Sequence, residues 1–231
     1  MLALRGRRRR VSPGMTVAAI RRTKGKTMWL VSPVTNALIA VLLLAGLPFL
    51  GYVIFHKWRH KRRFVEIARR AGLQGSGARY VLISAAVALL VVGVLLLWHP
   101  PIAPFVQAGS PQRDFAGLGM GIPAIVMALL YGVVQTGFVE ELVFRGLIAG
   151  SLARRLPLVW ANLLQAAIFL LPHLLILKTM PELWVLLPLI FLLALIMGWV
   201  RIKSGSIIGS WLVHAALNVT MCLTVAVRTV V

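Results

Sequence analysis

Six separate apolar runs, each near the length of a bilayer-crossing helix, leave this 231-residue chain few folds to choose from. A hydrocarbon core ~30 Å thick is spanned by ~20 helical residues at ~1.5 Å rise each. The runs fall at 33–55, 80–98, 122–152, 158–177, 183–200 and 207–227. In lipid every backbone N–H and C=O has to be satisfied within the protein, so isolated runs of this length are helices. The sequence predicts an all-α fold: a polytopic transmembrane helical bundle with about six spanning helices. A mean hydropathy of +0.91 agrees. The expected location is integral to a membrane. Gly46 and Pro48 should kink the first helix.

The formal net charge of +20 is the signature of a nucleic-acid binder in a soluble protein, but its placement argues against that partner. Of 25 Lys and Arg, nine lie in residues 1–27 and eight in 56–79, on either side of the first apolar run. There they set topology and meet anionic membrane lipid. No nucleic acid is expected as a partner. Three segments follow: a basic, disordered N-terminal arm at 1–27, two N-terminal transmembrane helices with a basic loop at 28–120, and a C-terminal helical core at 121–231. The basic loop reads mainly as plain juxtamembrane chain, with a possible short amphipathic helix from Phe64. If that loop is cytoplasmic, Arg154, Arg155, Arg201 and Lys203 share its side and only Arg113, Lys178 and Arg228 lie opposite. The arm then breaks the pattern, because its nine basic residues fall outside. The single Cys222 lies in an apolar run, makes no internal disulfide and packs as a small apolar residue.

A charge at bilayer depth costs at least ~2.5–3.5 kcal/mol on insertion scales, so the ones retained there point to chemistry or transport. The chain has five acidic residues, Glu66, Asp114, Glu140, Glu141 and Glu182, and two of them are adjacent within residues 136–145, TGFVEELVFR. Glu141 and Arg145 are four apart on one helix face and can pair, whereas Glu140 faces aside and is left free. A free carboxylate in a water-poor cavity is the group a general base requires. The plainer alternative is an ion-paired knot that fixes helix packing. Gly146 and Gly150, also four apart, permit close approach by a neighbouring helix.

Two further helices carry polar groups with the same spacing. Phe169 and His173 are four apart in the fourth run, with His173 expected mid-helix beside a bend at Pro172. His214 and Asn218 are four apart in the sixth run and can aim at a common point. A lone membrane histidine serves as readily in helix–helix hydrogen bonding as in a site. Three helices each bearing such a group favour a shared site, since each needs a partner and the nearest candidates are one another.

The ordered patterns E-E-x-x-x-R (Glu140, Glu141, Arg145), F-x-x-x-H (Phe169, His173) and H-x-x-x-N (His214, Asn218) resemble the CPBP family. That family comprises the type II CAAX prenyl endopeptidases and their bacterial relatives, often called Abi or bacteriocin-processing proteins. The resemblance covers about residues 121–222. It implies a glutamate-type intramembrane endopeptidase whose active site lies in the bilayer and opens to the cytosolic face, acting on a peptide or protein substrate at the membrane. By position it implies that Glu140 with His173 activates water, that His214 with Asn218 forms the oxyanion hole, and that Glu141 and Arg145 brace the helix of Glu140. No cofactor is expected under this reading. Six spans are fewer than larger members of the family have, which bears on substrate binding more than on the chemistry.

Two other readings compete. Glu140, His173 and His214 could supply three zinc ligands for a metalloprotease, although no H-E-x-x-H pattern is present and no further carboxylate remains to act as base. An immunity or scaffold protein could use the same bundle to sequester a membrane peptide without chemistry. A transporter with an ion-coupled carboxylate is a third and more remote reading.

Overall fold

The computed structural model describes residues 31–178 and 181–230, all helical or connecting, with no strand among them. The N-terminal arm at 1–27 lies outside the described residues. Among the described residues six helices are long and apolar enough to cross a bilayer. We number them α1 (Val31–His60), α2 (Ala78–Trp98), α3 (Ile122–Leu152), α4 (Leu158–Ile176), α5 (Leu187–Ser204) and α6 (Ile208–Arg228). The architecture is the expected polytopic helical bundle.

Small side chains let the helices approach. Ala88 of α2, Ala124 and Ala128 of α3, Ala166 of α4, Ala194 of α5 and Ala226 of α6 are all buried. Interfaces of this kind replace the hydrophobic drive that lipid removes. α6 packs on both α2 and α3, and α4 packs on α5. Large aliphatic side chains such as Leu82, Leu89 and Leu97 of α2 turn outward, as lipid-facing positions should.

Where a kink is expected in α1, the helix changes type. The helix is continuous, but Ala40–Gly46 is a π-helical run whose end meets Pro48, and the Leu47 amide bonds back to the Leu42 carbonyl. Pro48 offers no N–H, so the widened turn reroutes the ladder around it. α3 holds two more π runs, Leu130–Phe138 and Glu141–Ala149.

The basic segment after α1 is not a plain loop. It forms a short helix, Phe64–Arg70, whose Ile67 is fully buried, and the following turn is pinned to the start of α6. The Ile207 amide donates to the Gly72 carbonyl at 3.1 Å and Ser206 Oγ donates to the Gln74 carbonyl at 2.6 Å. Gly72 sits at φ 80°, and a Cβ there would meet Arg201 Nε at 2.7 Å, so both backbone and space demand glycine. The approach expected at Gly146 is made by this turn rather than by a spanning helix, since a Cβ on Gly146 would stand 2.7 Å from the Ala71 carbonyl oxygen. Arg201, buried, ties the same place together by donating from Nε to the Arg145 carbonyl at 3.0 Å and from Nη2 to the Arg70 carbonyl at 2.9 Å. Residues 56–79, 153–157 and 204–207 thus share one end of the bundle. The opposite end gathers residues 99–121, the 177–186 connection and the C-terminal end of α6, with Gly119 N–H on the Ala226 carbonyl and Arg228 on the Pro100 carbonyl.

Candidate active site

Glu140 stands between the two π runs of α3, about 18 Å of helix from Leu152 and about 27 Å from Ile122 at α-helical rise. This is bilayer depth for a hydrocarbon core of ~30 Å. π-helical turns recur at functional sites because they re-aim side chains and free backbone carbonyls. Here the Thr136 hydroxyl donates to the Tyr131 carbonyl five residues back, at 3.0 Å, and Trp211 Nε1 of α6 donates to the Val133 carbonyl at 2.7 Å.

The two carboxylates part as the spacing predicts. Glu141 is fully buried, with Arg145 Nη1 at 3.1 Å from its Oε1, and the Glu140 side chain stays one-third exposed to the cavity. Arg145 is fully buried as well, its guanidinium 4.0 Å above the Phe169 ring. A charge so placed is balanced by the carboxylate and by the ring face rather than by a full set of hydrogen bonds, and all three of its guanidinium nitrogens lack one. Phe169 is also in edge contact with Phe144 and His214 and lies against His173, which makes it the packing centre of the site.

His214 Nδ1–H donates to Glu141 Oε1 at 2.9 Å, which turns Nε2 toward Glu140 Oε2 at 3.8 Å. His173 lies in the last turn of α4, not in its middle, because α4 ends at Ile176 as the chain turns toward α5. Its Nδ1–H donates to the Phe169 carbonyl at 2.9 Å, fixing a tautomer whose lone pair is on Nε2. Asn218 Nδ2 donates to Thr136 Oγ1 at 2.7 Å and keeps a second amide hydrogen free.

Glu140, His173, His214 and Asn218 line a single cavity of about 680 Å³. Glu141 and Arg145 stand behind it. The cavity is walled largely by aliphatic side chains and reaches residues 105–112 and 175–187, the end of the bundle opposite the 56–79 segment. A cytoplasmic 56–79 segment and a cavity opening to the cytosol are therefore incompatible expectations. Among the described residues no group of three or more His, Cys, Asp or Glu side chains is gathered so as to hold a metal ion.

Thr136 and Trp211 were not singled out from sequence. Trp211, His214 and Asn218 recur at i, i+3 and i+7, so one face of α6 already displayed the set. Thr136 lies one turn before Glu140, but its partnership with Asn218 depends on how α6 meets a π-helical α3.

Six membrane-crossing helices around a carboxylate–histidine cavity at bilayer depth define an integral membrane protein. Residues 121–220 match the family described as type II CAAX prenyl endopeptidase Rce1-like, a span that contains all six residues of the site. That span is 100 of the 231 residues, and over it the chain is similar to the CAAX-type membrane proteases. No curated protein and no solved structure matches the chain.

Proposed function

We propose that the protein is a glutamate-type intramembrane endopeptidase that needs no metal. The observation that carries this reading is the meeting of Glu140, His173, His214 and Asn218, from three helices, in one cavity. Glu140 takes a proton from a water molecule as the water oxygen adds to the scissile carbonyl carbon, and His173 Nε2 accepts a hydrogen bond from the O–H that stays on that oxygen. The carbonyl electron pair moves onto oxygen. His214, oriented by its Nδ1–H bond to Glu141, and the free amide hydrogen of Asn218 stabilise that oxyanion. Collapse breaks the C–N bond, and Glu140 returns its proton to the leaving amine. Glu141 and Arg145 are positioning residues, which hold His214 and the α3 register.

The cavity end faces the cytosol in this proposal. Eight basic residues in 56–79 with Arg154, Arg155, Arg201 and Lys203 make twelve at one end, and nine in the arm with Arg113, Lys178 and Arg228 make twelve at the other. With the counts equal, the basic segment before the first helix sets the orientation, as it usually does.

The test is proteomics of membrane-protein termini in cells with the wild-type gene, without it, and with Glu140→Ala. New termini should appear with the wild type alone, and Asn218→Ala should lower turnover ~10²–10³-fold. Identical termini in all three strains would leave a sequestering scaffold as the better reading. Activity of the purified protein should survive chelation, whereas loss reversed by zinc would shift the chemistry to a metalloprotease.

A further inference from the structure

A second pocket lies at the other end of the bundle from the catalytic cavity, about 450 Å³ in volume, and no part of the proposed reaction uses it. Its wall brings together Arg62, Arg70, Arg154, Arg155, His56 and His60 from the end of α1, the short helix and the α3–α4 connection. No carboxylate lines it, and among the described residues none of these arginines pairs with an acidic side chain. Four guanidinium groups gathered without an anion repel one another, an arrangement that a bound anion relieves.

The pocket is held in shape by its own scaffold. Arg154 Nη2 donates to Tyr52 Oη at 2.8 Å and to Ser151 Oγ at 3.1 Å, and Nη1 donates to the Arg70 carbonyl at 3.4 Å. Burial lowers the Arg154 pKa from the ordinary guanidinium range, and the charges of Arg70 and Arg155 press it the same way. Arg62 Nε is buried with no hydrogen-bond partner, a donor waiting for an acceptor. Phe55 lines the pocket and Trp58 is exposed one turn from it, aromatic residues of the kind that sit at headgroup level.

We propose that this pocket binds a phosphate group, supplied by the headgroup of an anionic phospholipid in the adjoining leaflet. Arginine forks match phosphate oxygens, the volume falls in the range of small-molecule sites, and the pocket's place at the end of a spanning helix is where lipid phosphates are concentrated. Binding there clamps the short helix against α3, because Arg70 also supplies the carbonyl that Arg201 holds.

The experiment is thermal unfolding of the full chain in neutral detergent, titrated with short-chain phosphatidylglycerol, short-chain phosphatidylcholine or inorganic phosphate. Phosphatidylglycerol should raise Tm by ~5–10 °C at ~100 times its Kd, with little effect from phosphatidylcholine. Arg155→Gln, at an exposed position, and Arg62→Gln should each remove most of that shift. Arg79→Gln, an equal charge loss at the same end but outside the pocket, should keep it. An equal shift from inorganic phosphate would sustain the phosphate site and make free phosphate its ligand. No shift from either phosphatidylglycerol or phosphate, or an equal loss of the shift in Arg79→Gln, would overturn the proposal.

Discussion

The Thr136 hydroxyl works in two directions, donating to the Tyr131 carbonyl and accepting from Asn218. It fixes which hydrogen of the Asn218 amide is left for the cavity. Thr136→Val keeps the shape and removes both bonds, so kcat should fall about tenfold, the equivalent of ~1.4 kcal/mol, with KM unchanged. Thr136→Ser should restore most of it, an outcome that loss of packing alone would not give. Glu141 carries a different burden. Glu141→Gln leaves Arg145 charged, fully buried and without its carboxylate, a loss of about 3–5 kcal/mol that thermal unfolding in one detergent should register. Adding Arg145→Met should recover most of the stability while leaving activity low, because His214 would still face a neutral amide in place of a carboxylate. The Glu141–Arg145 pair was legible in the sequence, since a spacing of four on a helix in an apolar run leaves few other partners. The roles of Thr136 and Phe169 were not, because both are set by contacts between helices.

At the scale of elements, the π runs of α3 explain why helical arithmetic succeeds over one turn and drifts over three. Their hydrogen bonds reach five residues instead of four, which is how Thr136 comes over Tyr131. α3 also depends on bare backbone where α6 crosses it. A Cβ on Gly132 would meet Val219 N at 2.8 Å, so Gly132→Ala should force the two helices apart and cost about 1–3 kcal/mol. Gly51, on the open face of α1, has nothing within 4 Å of such a Cβ. Gly51→Ala should stabilise the helix by up to about 1 kcal/mol, and comparing the two midpoints separates crowding from helix propensity. The order and approximate limits of all six helices could be read from hydropathy alone. The short helix at Phe64 and its seam with α6 could not, because Ile207 on Gly72 and Ser206 on Gln74 are bonds to backbone carbonyls across more than 130 residues that leave no period in the sequence.

For the molecule as a whole, orientation decides from which side the cavity is entered. Cys222 is fully buried, so an introduced cysteine is the only reactive thiol among the described residues. Gly75→Cys and Ala108→Cys place one at each end, both at exposed positions. A membrane-impermeant thiol reagent added to intact cells should label Gly75→Cys, and Ala108→Cys only after permeabilisation. The opposite result would put the cavity outside. The wall of that cavity carries a practical consequence of its own. Leucines 175, 177, 183, 186, 187 and 189 form a greasy corridor, and burial of apolar surface would draw a surfactant tail into it as it would an apolar substrate segment. Micelles would then act as competitors for the enzyme they keep in solution, and turnover measured in a nanodisc would exceed turnover measured in a detergent of long alkyl chain.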